Sequence, residues 1–386
     1  MIVGIMTSIM TLMILSRGVQ MENLGLLVAS FSIITVILEF PSGVLSDLLG
    51  RKRIYIISLA FSLAARLALL AAQGFFPIAM AFALYGVSRA FSSGSIEALY
   101  TDQWIREKGK NELHRLMSVM GIGETLGLAC GALAGGFLPQ IWDIYFPAMN
   151  RYDGNIIVQI VLILILLIFT SLTSKEKELQ EKTSTAFYRY VAQTLEFAWK
   201  NRILRTIILG SCLWGIAFSA IEVFWQPRLK AILGSETQAW IFGLVNSGYF
   251  VASLLGVIAF EAIAVRKKVN SFAAIFLAKI LCGLLIILLA TRNKVSGFAF
   301  VYLTMFLFNG AGNIPEGTAF NSEASEERRS SLLSVSSLAM QLGAVLGSIM
   351  FGFLVSSLSI PGIWILAGIV LCLSSFLYLG LIRRKT

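Results

Sequence analysis

Apolar runs of span length, separated by short polar connections, fill almost the whole chain. A helix that crosses a bilayer needs roughly 20 mostly apolar residues. The pattern predicts twelve such helices, near 1–16, 24–46, 54–72, 77–101, 115–138, 156–173, 203–225, 239–263, 271–291, 297–319, 331–356 and 361–382. The expected fold class is therefore an all-α polytopic membrane protein. The first run, Met1 to Leu15, is short and has no basic leader. It fits a trimmed helix, or a start upstream in the natural gene, better than a cleaved signal peptide, which needs a positive n-region.

The runs also repeat. Leu116, Ser118, Val119, Leu126, Gly127, Gly131 and Gly136-Phe137-Leu138 return as Leu332, Ser334, Val335, Leu342, Gly343, Gly347 and Gly352-Phe353-Leu354. Ile96-Glu97 is echoed by Ile314-Pro315-Glu316, and the basic turn 51–53 by Arg266-Lys267-Lys268. Helix packing alone explains glycines but not a constant offset. Three parts are expected: residues 1–173, a charged linker over 174–202, and residues 203–386. In the linker, Phe187, Tyr190, Val191, Leu195 and Ala198 fit one face of a helix lying on the inner membrane surface. Such a helix either couples the halves or serves as a solvated tether.

Composition adds a class. Of 386 residues, 57% are hydrophobic and 13% charged, with a mean hydropathy of +0.81. A soluble domain carries about 25% charged residues. The net charge of +10 would suggest nucleic acid in a soluble protein, but here its location matters more. Connections around 51–53, 106–115, 175–205, 266–268, 328–329 and 383–385 hold most of the Lys and Arg. The opposite set holds only Arg17, Arg151, Arg228, Lys230, Arg292 and Lys294. The positive-inside rule then puts both termini in the cytoplasm, in a multi-pass protein of the cell (inner, cytoplasmic) membrane. Trp104, Trp142, Trp199, Trp225, Trp240 and Trp364 fall near span ends, where an amphipathic ring suits the interface; Trp214 does not.

The turn between the second and third runs carries a motif: Gly43, Leu45, Asp47, Gly50, Arg51 and Lys52, in the order Gly-x-Leu-x-Asp-x-x-Gly-Arg-Lys. A generic positive-inside turn accounts for the cations but not for the Asp or the glycine spacing. The motif resembles the signature loop of the major facilitator superfamily. That resemblance implies two six-helix bundles related by a parallel repeat, with a substrate site between halves near the midplane. It also implies a charge latch in which Asp47, Arg51 and Asp102 hold one side shut, with Gly43 and Gly50 shaping the loop. Glu39 and Glu97 fit such a latch or a plain interface position.

Ionisable groups inside spans are costly, so each is a candidate for function. Arg89 lies midway along the fourth run with Ser92 and Ser93 on its side; a charge clamp that fixes packing is the alternative role. Glu124 lies at similar depth in the fifth, on the face of Gly127, Gly131 and Gly135. Arg89 with Gly94, and Gly127-x-x-x-Gly131-Ala132-x-x-Gly135-Gly136, partly resemble motifs of the superfamily's bacterial drug/proton antiporters. On that resemblance Arg89 and Glu124 are the expected proton-coupling pair, and the glycines a helix-packing face. In the seventh run Trp214, Phe218, Glu222 and Trp225 share a face. They form either a binding site for a lipophilic cation or a lipid-facing aromatic stripe. Lys279 and Arg66 receive no role.

Other classes lack their chemistry. The single histidine, His114, and the scattered Cys130, Cys212, Cys282 and Cys372 offer no metal or catalytic cluster. No nucleophile elbow or phosphate loop is present. The expected protein is not an enzyme and uses no cofactor, metal or nucleic acid. It is a monomeric, proton-gradient-coupled exporter of small amphipathic molecules or drugs, with a metabolite importer or facilitator of the same fold as the runner-up.

Overall fold

The computed structural model describes residues 1–92, 100–101, 104, 113–173, 187–235, 238–266, 269–324 and 329–382. Every regular element among them is helical, as lipid requires of backbone polar groups that have no water to bond. The first span, α1, is broken into Ile2–Thr7 and Met10–Ser16. Then follow α2 (Leu24–Leu49), α3 (Arg51–Ala71), α4 (Phe75–Ser92), α5 (Leu113–Tyr145) and α6 (Asp153–Thr173). A linker helix (Phe187–Lys200) leads to α7 (Arg202–Leu233), α8 (Ala239–Arg266), α9 (Ser271–Ala290) and α10 (Val295–Glu323). The last helical run, Arg329–Ser375, is too long for one crossing. It breaks at Ser359, whose φ of 57° is the one positive value outside glycine among the described residues, just before Pro361. The break divides the run into α11 and α12.

Local chemistry sets the boundaries. Gly50 has φ 98° and separates α2 from α3 by a single residue; a side chain there would be strained. Asn201 and Asn270 cap α7 and α9, each accepting two backbone N–H bonds, the usual device for orphan donors.

The chain divides into two compact units: Met1–Thr183 with Thr237–Ser247, and Ser184–Glu236 with Gly248–Thr386. The start of α8 therefore groups with the first unit. Within the first unit α1 packs on α5, α2 on α4, and α3 on α6; within the second, α7 packs on α11 and α9 on α12. The sequence repeat is thus a repeat of helix pairs. Gly131 and Gly135 of α5 face the α1 backbone, where a Cβ would collide with the carbonyl oxygens of Met1 and Ile5. Gly343 and Gly347 of α11 meet the carbonyls of Cys212 and Ile216 on α7 in the same way. Gly127 is looser, its nearest neighbour being the Met1 nitrogen at 3.1 Å.

Two expectations change here. Trp364 and Trp225 are core residues rather than interface anchors: Trp364 is fully buried and its Nε1 donates to the Ala220 carbonyl at 2.9 Å. The linker helix buries Thr194 and Ala198, and Ala198 joins a core with Ile203, Leu204, Ile207 and Phe320 of the second unit. Leu195 and Trp199 stay exposed, so the face that docks is narrower than the apolar stripe.

A buried tether closes one end of the first unit. Arg17 Nη2 pairs with Asp153 Oδ1 at 2.7 Å, while Nη1 donates to the Leu69 and Ala72 carbonyls at the end of α3. One guanidinium thus joins α1, α3 and α6. Asp153→Ala would strand this cation, and breaking a buried pair costs about 3–5 kcal/mol. A large drop in the thermal midpoint of the detergent-purified protein is expected. A midpoint equal to wild type would show that Arg17 is held by the carbonyls alone.

Candidate functional site

The second unit holds a cavity of about 320 Å³ between α7, α9, α10 and α11, lined among others by Ser211, Trp214, Lys279, Cys282, Asn309 and Glu316. Helical periodicity places its polar groups. Asn309, Asn313 and Glu316 step by four and three along α10, and Ser211 and Trp214 by three along α7, so each set shares a face. Across the cavity wall Lys279 Nζ pairs with Glu316 Oε2 at 3.1 Å, and Lys279 is 7% exposed. Ser211 Oγ bonds Glu316 Oε1 at 3.5 Å and Ser336 Oγ at 3.2 Å. The ammonium also lies 5.9 Å from the Trp214 ring and 5.6 Å from that of Tyr378, within cation–π range.

An aromatic wall runs on from Trp214. It stacks on Phe218 at 5.6 Å; Phe218 meets Phe306 edge-on; Phe306 contacts Tyr249 and Tyr302; and Tyr302 lies 5.6 Å from Trp225. Glu222, on the same helix, is exposed and within Coulombic reach of both tyrosines. The predicted set Trp214, Phe218 and Trp225 is therefore joined through α10, with Glu222 open beside it. The arrangement offers one fixed ion pair, several amide and hydroxyl groups, and flat apolar rings. It can bind a small polar solute that has an apolar or planar part.

The first-unit candidates are arranged differently. Arg89 and Glu124 are both exposed, and no ion pair joins them among the described residues; Glu124 lies within Coulombic reach of the Met1 amino group. Gly131 and Gly135 do pack as a helix face. Of the latch, Gly50 is a turn residue and Arg51 opens α3. Gly43 and Asp47 lie in α2 with their side chains outside the description, and Asp102 lies outside the described residues altogether.

Nothing in the sequence pattern joins Lys279 to Glu316. The signals were present: Lys279 is a cation inside a span, and Glu316 ends the segment Ile314-Pro315-Glu316 that echoes Ile96-Glu97. Local periodicity could not join them, because they sit on different helices.

Together, the two units hold helices long and apolar enough to cross a membrane, and the second unit encloses an ion-paired polar cavity. The chain matches the Major Facilitator Superfamily over residues 1–324, and it belongs to that family. It is 25% identical over 266 residues to the uncharacterised MFS-type transporter YxaM of Bacillus subtilis (strain 168). That match takes in 65% of this chain and 61% of the length of that curated relative. In fold it is similar to the nucleoside transporter NupG, at a TM-score of 0.76 with 16% identity, covering 100% of this chain and 96% of the other. It is also similar to a bacterial homologue of the human lysosomal transporter Spinster in an inward-facing, unoccupied conformation, at 0.75 with 13% identity, covering 98% and 93%.

Proposed function

We propose that this chain is a secondary carrier of small polar metabolites, working by alternating access, with the Lys279–Glu316 cavity as part of its substrate site. The ion pair carries this reading. A charge pair inside a span costs desolvation energy, and this one, unlike the Arg17–Asp153 tether, lines a cavity with other polar groups. A solute that hydrogen-bonds Glu316 or Lys279, with a planar part against Trp214 and Phe218, would use every group present. Family membership supports carriage of small molecules through the bilayer. The asymmetry of Lys and Arg supports a cytoplasmic location for the Gly50 turn and both termini, in the cell membrane. A single chain holds both units, which supports a monomeric carrier.

The drug-export reading keeps one supporting observation, the aromatic wall beside the open carboxylate of Glu222, which suits a lipophilic cation. Proton coupling through Arg89 and Glu124 is part of this proposal, as is gating by Asp47, Arg51 and Asp102. The test is transport into proteoliposomes, with and without an imposed pH gradient, of a panel of nucleosides, sugars, carboxylates and lipophilic cations. Uptake of the polar members supports the metabolite reading; uptake of the cations alone replaces it with export of drugs. In the same assay Glu124→Gln is expected to lose gradient-driven accumulation and keep downhill exchange. Intact uphill transport in that variant would remove Glu124 from coupling.

A further inference from the structure

The first unit contains a buried cation, Arg66, apart from the cavity of the second unit. Arg66 lies in α3, five residues before its Ala71 end, so about 7 Å inside the helix terminus. It is 5% exposed. Its Nε donates to Gln159 Oε1 on α6 at 2.9 Å, and its guanidinium lies 4.2 Å from the Tyr85 ring centroid on α4. Gln159 is held in turn by the Ile2 carbonyl at 2.6 Å, and Tyr85 by a stacking contact with Phe31 at 5.1 Å. Three helices and α1 therefore fix the orientation of this one side chain.

No carboxylate pairs with Arg66 among the described residues. An amide oxygen and an aromatic face offset part of the charge but neutralise none of it. A guanidinium stays protonated at any accessible pH, so it cannot shed the charge to suit its surroundings. Its two η-nitrogens have no hydrogen-bond partner among the described residues, yet they are not among the sealed polar atoms. The fork is thus oriented by its Nε side, while its η-nitrogens keep a little accessible surface and are the edge that could meet an oxyanion bidentately.

From this juxtaposition we infer that Arg66 is an anion-binding group of the first unit, and that the solute carried is an organic anion bearing a carboxylate or phosphate. The inference rests on the carrier reading above and narrows its substrate class. Arg17 provides the contrast: it is equally buried, but its guanidinium is committed to Asp153 and to backbone carbonyls, so it has a structural role alone. Arg66 is similarly enclosed, 5% exposed against 2% for Arg17, and has no carboxylate partner among the described residues, so an oxyanion of the solute is the partner inferred for it.

The test uses the full chain in detergent and in proteoliposomes. Thermal midpoints are measured against benzoate and phenyl phosphate, with benzamide as the uncharged analogue, at constant ionic strength in chloride. Wild type is expected to be stabilised saturably by one of the two anions and not by benzamide. Arg66→Gln is expected to weaken that binding roughly 30-fold or more. Arg66→Lys, which keeps the charge but loses the fork, should fall between, and it serves if the Gln variant does not fold. No anion-specific shift in wild type, or one that persists unchanged in both variants, overturns the inference. So does stabilisation by phosphatidylglycerol vesicles alone, which would assign the site to a lipid headgroup. Transport of the same compounds separates the two readings. Carriage of neutral metabolites with no anion binding leaves the carrier and removes the anion site. Arg66-dependent binding with no carriage of any compound leaves the site and removes the carrier.

Discussion

Glu316→Gln is expected to reduce transport by at least about tenfold, because it removes the only carboxylate paired with Lys279 among the described residues. Gln is nearly isosteric with Glu, so the packing of α10 against α9 should survive. The Lys279 ammonium, 7% exposed, would then lie against a neutral amide, with Trp214 and Tyr378 as its remaining attractive neighbours. Removing one partner of a buried pair also costs about 3–5 kcal/mol of stability, so activity must be compared at equal amounts of folded protein. The double variant Lys279→Met with Glu316→Leu separates the causes. An apolar pair of similar volume is often neutral or stabilising in such a place, so stability should return while transport stays low. Recovery of both would make the ion pair a packing device and remove the cavity from the substrate site.

Gly135→Ala is expected to impair folding of the first unit, while Gly123→Ala on the same helix is expected to be tolerated. At Gly135 a Cβ would collide with the Ile5 carbonyl oxygen, and Ile5 itself is 1% exposed. That oxygen accepts from Asn155 Nδ2 at 3.2 Å, and the Gly135 carbonyl accepts from the same nitrogen at 2.8 Å. The backbone of α1 is therefore held in place and cannot give way. Forcing extra volume into such a contact costs about 1–3 kcal/mol or more. At Gly123 a Cβ meets nothing within 4 Å, and replacing Gly by Ala inside a helix gains up to about 1 kcal/mol. Thermal unfolding and monodispersity of the two variants after purification decide the matter. Equal midpoints would show that α1 and α5 can separate at no cost.

The sequence alone determined the spans, because a bilayer sets a minimum apolar length and twelve runs meet or approach it. The constant offset between Gly127, Gly131 and Gly343, Gly347 foretold that α5 and α11 play matching parts, since close helix approach needs a missing side chain at fixed steps. Gly50 was legible for a similar reason: its backbone angle is open to glycine almost alone. Tertiary structure decided what no helical period can encode, namely which charges meet. Lys279 found Glu316 on the neighbouring helix and Arg17 found Asp153, whereas Arg89 and Glu124 are exposed and do not pair with each other. Burial of tryptophans followed the same logic. Trp364 lies near a span end yet is enclosed by α7 and α10, because exposure depends on what packs against a residue as well as on its distance along the helix. For Arg66 the sequence showed a cation within a span; only the folded chain showed a guanidinium oriented by Gln159 and Tyr85 and without a carboxylate partner among the described residues.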